Sequence, residues 1–363
     1  MLLNYTKTFF IILLVLFGLL YFYLTGEVFA IFKQKSIEIF LSYTFNLLPL
    51  VFFYISAFVS GLALLLFFRK LTQKKIDLLT QSFGISPLNL SFSIIIFSLF
   101  LSFINIVGSY ELYAENQKRL YVIEKEYRKA KELEKGIIRG LWLLEEKNGE
   151  KGFYNFELID LSTGNVYGFY YLKVAEGSIK ELIVAQRGLW RGENIELKEA
   201  KIKNLFTGEE YVKDIRVHYI DLSQIRPLAE RPEHLSMKSL FMLSLIGEKI
   251  GINQRYYLYE VLRRVLTALL PIFITISISW MCLRWRRLSF SLLGLIVLFS
   301  YHWLSLNLIK SFVENTSVSL TLLSFIYAPL PLLSLKGLYD LGKGFRGLSW
   351  LRPPVAHPRP SSS

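Results

Sequence analysis

Six nearly uninterrupted apolar runs, at 8–25, 47–68, 88–110, 265–283, 288–309 and 318–335, fall into two clusters of three. At about 1.5 Å per residue, each predicts a helix long enough to cross a hydrocarbon core of roughly 27 to 30 Å. The first run is too long for a signal peptide, and no small-residue cleavage site follows before Lys33, so it predicts an uncleaved anchor. Between the clusters the period changes twice. Residues 111–135 are charged and helical, with Leu112, Leu120, Ile123, Tyr127, Ala130 and Leu133 at three-to-four spacing, which predicts that the third span continues outward as a stalk. Residues 137–220 alternate, as in Phe153, Asn155, Glu157, Ile159 against Tyr154, Phe156, Leu158, Asp160. Asn148-Gly149, Ser162-Thr163-Gly164, Arg191-Gly192 and Thr207-Gly208 punctuate them. That pattern predicts six to nine short strands forming a sandwich, jelly roll or open barrel. A further helix is expected over 236–249, and another from about Gln254 into the fourth span.

Composition agrees with membrane insertion. Hydrophobic residues make up 53% of the 363, and charged residues only 20%, which excludes a wholly soluble or disordered chain. The net charge of +13 would suit nucleic acid if it lay on a folded domain. Instead residues 111–260 carry 24 Lys and Arg against 24 Asp and Glu, so the whole excess flanks the apolar runs. Lys and Arg are retained on the cytoplasmic side. With both termini inside, thirteen of the eighteen flanking basic residues are cytoplasmic, including Arg69, Lys70, Lys74, Lys75, Arg284, Arg286 and Arg287. Lys33, Lys35, Arg263, Arg264 and Lys310 are then outside, as is the neutral central domain.

The catalytic inventory is thin. His218, His234, His302 and His357 have no metal-ligand spacing to one another or to the lone Cys282, which reads as a small hydrophobe. Residues 337–343 fit the first seven letters of a phosphate-binding loop, but Gly344 stands where Ser or Thr must hold magnesium. They read as a glycine-rich exit from the membrane. Any ATPase is expected on a separate chain, and no cofactor is implied. Asn105, His302 and Asn307, within the spans, are expected to hydrogen-bond between helices, and Pro49, Pro271, Pro329 and Pro331 to kink them.

Three spans, an exported β domain and three more spans resemble the LptF/LptG family of lipopolysaccharide-export permeases. The most specific stretch is Phe68-Arg69-Lys70-Leu71 through Leu79-Thr80-Gln81-Ser82-Phe83-Gly84-Ile85-Ser86-Pro87, which is similar to the family's cytoplasmic segment after span two. Gly140-Leu141-Trp142 resembles the entry strand and is closer to the LptG branch. Ser236-Met237-Lys238-Ser239-Leu240 through Gly251, then Tyr256 to Glu260 and Arg263, resemble the approach to span four. Residues 352–363, rich in Pro, Arg and Ser, lie outside the resemblance and read as disordered. Where the family usually has Glu, this chain has Ile76, with Asp77 next.

The resemblance implies an α+β polytopic membrane protein: six transmembrane helices, with a periplasmic β-jellyroll-like domain between helices 3 and 4. Its implied parts are 1–110 (with a coupling segment at 69–87), 111–136, 137–235, 236–347 and a tail at 348–363. It implies an ABC-transporter permease subunit that takes lipopolysaccharide from the inner membrane. The implied partners are a cytoplasmic ATPase dimer, a second related permease, and periplasmic bridge and membrane-anchored β-jellyroll proteins; nucleic acid is not among them. Arg69, Lys70, Lys74, Lys75, Asp77, Leu78 and Leu79 are the coupling candidates. Residues 69–81 are expected to form one amphipathic helix, with Leu71, Leu78 and Leu79 packing on the ATPase and Asp77 on its polar side. Lys33 and Lys35 are candidates for the lipid phosphates, or else interface anchors, and Lys118, Arg119, Arg128, Arg263 and Arg264 could extend the same rim. Phe153, Phe156, Phe169 and Tyr171 could line an acyl groove, or simply form a β core. A non-transporting scaffold or sensor with an exported β domain is the competing class.

Overall fold

The computed structural model describes residues 2–32, 37–127, 137–147, 150–161, 163–175, 177–205, 207–219, 228, 230–247 and 253–343. Lys33, Lys35, Arg128 and the 348–363 tail lie outside them.

Long helices form where the apolar runs were, extended at their ends. They are α1 (Leu2–Phe32), α2 (Ile37–Gln73), α4 (Pro87–Tyr110), α7 (Arg255–Trp285) and α8 (Leu288–Asn315), with the seven-residue α3 (Ile76–Ser82) following α2. All five long ones are apolar and long enough to span. The last run is a broken element: α9 (Leu320–Ser324) and a short 3-10 turn (Phe325–Tyr327) meet α10 (Pro329–Lys343) at a bend of 48°. Pro329 and Pro331 each remove an amide donor there, which accounts for the break. Among the described residues five helices are long and apolar enough to span unaided, and six candidate spans result if the bent pair counts as one. The phosphate-loop-like string at 337–343 is helical, within α10.

α7 is the central post, packed against α2, α4, α8 and α10. Polar side chains pin it and its neighbours. Tyr5 Oη lies 2.7 Å from Ser60 Oγ, which lies 3.0 Å from Thr275 Oγ1. Asn105 donates to Ser56 Oγ at 3.0 Å and accepts from Tyr113, while His302 sits between Tyr327 Oη at 2.8 Å and Thr267 Oγ1 at 3.3 Å. Asn105 and His302 thus bond as expected, whereas Asn307 is exposed.

The stalk expectation needs correction. Helix α4 stops at Glu111, whose φ of −142° leaves the helical region, and α5 (Leu112–Tyr127) starts anew. Tyr113 turns back over Gly108, where a Cβ would stand 2.4 Å from its ring. The apolar positions of α5, Leu120 and Ile123, therefore cover Ile39, Tyr43 and Leu50 of α2.

Six antiparallel strands follow in simple sequential order: β1 (Ile137–Lys147), β2 (Glu150–Asp160), β3 (Asn165–Ala175), β4 (Ser178–Arg191), β5 (Asn194–Asn204) and β6 (Glu210–His218). This is the lower end of the expected count, in longer strands, and it is a meander without Greek-key crossing among the described residues. It is creased. Gly140, Gly168 and Glu199 have φ of 62°, 58° and 50° and fall in one transverse row, where the ladders between β1 and β5 skip or shift. At Gly168 a Cβ would meet the Glu157 side chain at 2.2 Å and would sit at a φ that favours glycine, so a larger residue would have to displace Glu157. The crease inverts which alternate residues face inward. On one side Tyr154, Phe156, Phe169 and Ile183 are interior; on the other, Ile159, Val166, Trp190 and Ile195 are. The two halves close on each other, with Phe156 stacked on Trp190 at 5.0 Å.

The sheet also curls. A flat sheet would hold β2 and β6 about 19 Å apart at about 4.8 Å per strand. Tyr219, just past β6, nevertheless stacks on Tyr154 of β2 at 4.1 Å and donates to the Leu144 carbonyl of β1.

Candidate functional site

Two charged regions, one at each end of the helix bundle, hold most of the sequence candidates. At one end α2 carries Arg69 and Lys70 in its last exposed turn, then stops at a turn in which Lys75 adopts φ 54°. The segment 69–81 is therefore two helices, not one. Lys74 and Lys75 are exposed, Leu71 is buried in the bundle core, and the side chain of Gln81 lies outside the described residues. Leu78, Leu79, Phe83 and Ile85 are 46%, 59%, 77% and 43% exposed, an apolar ridge with no covering element among the described residues.

Asp77 corrects its expected role. It is 1% exposed and its carboxylate accepts from Arg286, the left-handed residue that ends α7. It is thus an internal strut holding α3 to the α7–α8 turn, and its face is closed to a partner. Breaking such a pair leaves a buried charge, so α3 depends on Arg286 for its seat.

At the opposite end Glu260, Arg263 and Arg264 form a buried cluster. Glu260 accepts from Arg263 at 2.6 and 2.8 Å and from Arg264 at 2.9 Å. Arg264 also donates to the carbonyls of Ser109, Pro232 and Glu233, and its side chain is only 5% exposed. Arg263 reaches Tyr54 Oη at 3.3 Å. Both arginines are thus internal ties and not the solvent-facing phosphate ligands expected from sequence. Glu260 was missed as a site residue, although its spacing to two arginines, at i+3 and i+4 on one helix, is the pattern that predicts ion pairing.

Residues 230–236 cross this region as a strap that includes the 3-10 turn Pro232–His234, before α6 (Met237–Ile246). α5 holds it through Lys118–Glu230 at 2.5 Å and through Tyr121, whose ring lies 4.8 Å below Arg231. α7 holds it through Arg264, and α8 through Lys310–Glu233 at 3.8 Å. A cavity of about 640 Å³ opens beside it, lined by Lys118, Arg119, Glu115, Glu230 and His234 among others. Arg119 pairs with Glu115 at 2.5 Å. Both expected phosphate ligands at this mouth therefore already have carboxylate partners.

His234 gives this strap a pH dependence. Burial, opposed by Glu233 and Glu230 and reinforced by Arg231 and Lys118, lowers its pKa below the ordinary histidine value. A base with a lowered folded pKa binds more protons when released, so its contribution is complete above pH about 6.5 and declines below it. Amide exchange at His234 and Leu235, corrected for intrinsic rates, is expected to speed up between neutral and mildly acidic pH. A pH-independent corrected rate would contradict this.

Of the β-domain candidates, Phe156 and Phe169 are wholly buried and touch edge-on at 5.3 Å, with Tyr171 half-buried on the same face. Phe153 points to the other face and does not join them. These rings pack as core, continuous with Trp190 and Tyr219.

The arrangement fits a multi-pass membrane protein with a six-strand β domain, a clamped strap ahead of α6 and, at the bundle's other end, an apolar ridge with no covering element among the described residues. Residues 1–339 match the family described as "Lipopolysaccharide export system permease LptF/LptG", and the chain belongs to it. A protein of Aquifex aeolicus (strain VF5), described only as uncharacterized, is 33% identical over 324 residues, 87% of this chain and 89% of the relative. The chain is thus a permease-family component of lipopolysaccharide export, a transport protein of the inner membrane.

Proposed function

We propose that this chain is one of two related permease subunits that extract lipopolysaccharide and pass it to a periplasmic β-domain bridge, driven by a separate cytoplasmic ATPase dimer. Both termini and residues 69–87 face the cytoplasm in this reading and the β sheet faces the periplasm, the orientation that the distribution of Lys and Arg favours. In this reading the creased, aromatic-filled meander stands where the resemblance implies a jellyroll-like domain, and it would have to open to accept acyl chains. Lys33 and Lys35 remain the proposed phosphate ligands at the outer end of α1. The exposed apolar faces of α1 and α8, such as Leu14, Leu19, Leu293 and Val297, are where acyl chains or a second permease would lie in this reading.

The observation that carries the proposal is the ridge Leu78, Leu79, Phe83, Ile85, presented on a short helix and the turn after it, with the helix anchored by Asp77 and Arg286. Such a helix can be pushed by a partner and move the bundle with it. Leu78→Asp with Leu79→Asp should remove about 1.5 to 3 kcal/mol of apolar burial per side chain and release the ATPase on affinity purification, while the permease stays folded because neither leucine is in its core. ATPase that still co-purifies in full would overturn the assignment. The scaffold reading predicts no ATPase association in either form.

A further inference from the structure

We propose that the cleft between the charged ends of α2, α7 and α8 binds the phosphodiester headgroup of an anionic phospholipid. The cleft has a volume of about 320 Å³ and is lined by Arg69, Arg286 and Arg287, over an apolar floor that includes Leu65, Phe68 and Leu288. Arg286 is engaged by Asp77, whereas Arg69 and Arg287 have no acidic partner among the described residues. Three guanidinium groups and one carboxylate leave an excess of two positive charges. Planar guanidinium forks match phosphate oxygens, and basic pockets between membrane helices suit phospholipid headgroups.

The surroundings favour an amphiphile over a simple anion or an acidic side chain. From the cleft, Leu288, Leu292 and Ile296 run down one face of α8 at four-residue intervals, and they are 37%, 39% and 48% exposed. Charge at one end and an apolar track leading into the span reproduce the polarity of a phospholipid, whose acyl chain would lie along α8. A carboxylate from a soluble partner would use the arginines and leave that track uncovered. The site requires only that the bundle span a membrane, and it is independent of which way lipopolysaccharide moves.

Trp285 is a built-in reporter, since it precedes Arg286, is 37% exposed and lies 4.4 Å from Phe290. The full chain is reconstituted in phosphatidylcholine vesicles containing either brominated phosphatidylglycerol or brominated phosphatidylcholine, with Trp285→Phe identifying the quenched ring. Phosphatidylglycerol should quench Trp285 at markedly lower fractions. Arg69→Gln and Arg287→Gln should each weaken that preference about fivefold. Both side chains are exposed and Arg286 is left in place, so the Asp77 strut is retained. Equal quenching by the two lipids, or a preference that survives the double variant, would overturn the site. Displacement of the brominated lipid by millimolar inorganic phosphate would assign the cleft to a free anion. Loss of ATPase association in the double variant, with lipid preference unchanged, would assign the arginines to a protein partner.

Discussion

Glu260→Ala is expected to destabilise the helix bundle by about 3 to 5 kcal/mol, because it strands two guanidinium groups where water cannot reach them freely. Their side chains are 15% and 5% exposed for Arg263 and Arg264, and Glu260 is the carboxylate that both share. Arg264→Ala should cost less at the carboxylate, since Arg263 still holds it through two hydrogen bonds. It would nevertheless free the strap, because Pro232 and Glu233 lose the donor that ties their carbonyls to α7. Thermal unfolding of the purified chain in detergent measures the first effect, and amide exchange over 233–235 the second. Replacing the whole triad, Glu260→Leu with Arg263→Met and Arg264→Met, should recover part of the lost stability, because no charge is then left buried without its partner. A Glu260→Ala protein that melts with the parent would show that the cluster is hydrated.

Trp190→Ala is expected to cost about 3 to 5 kcal/mol within the β domain and to leave the bundle intact. Trp190 is 1% exposed, stacks on Phe156 across the crease and donates its indole N–H to the Gly192 carbonyl at 3.1 Å. Its loss removes the Phe156 stacking contact between the two halves of the folded sheet. Hydrogen exchange on the full chain should show lost protection through β2 to β5 while α7 keeps its own. Trp142→Ala is the control, since that ring is 57% exposed and its removal should shift stability by less than about 0.5 kcal/mol. Unchanged protection at β2 and β4 in the Trp190 variant would mean that the halves do not depend on this contact.

The membrane spans were legible because a helix in lipid must be apolar all round, which needs only composition and length. The strands were legible from alternation and from their turn glycines. Alternation failed between Phe156 and Ile159, both buried although three apart, because the Gly140–Gly168–Glu199 crease inverts the pleat. A lone glycine inside a strand hints at such a kink, but its alignment across three strands exists only once register is set.

The charged candidates divide along the same line. That Arg69, Lys70, Lys74 and Lys75 flank a span, that Leu78 and Leu79 stand in a short polar connector, and that the family is a lipopolysaccharide-export permease were all determined by sequence, since each rests on local order. That Asp77 faces Arg286 and not a partner, that Arg264 ties a strap and not a phosphate, and that Lys118 meets Glu230 were decided by tertiary structure alone, whereas Arg119 and Glu115 are an i,i+4 pair on one helix. A charge looks the same in sequence whether it faces solvent or a counter-ion 209 residues away, as Arg286 does. Only the packing of α2, α3 and α7 settles which, because desolvation and pairing are properties of the surroundings and not of the side chain.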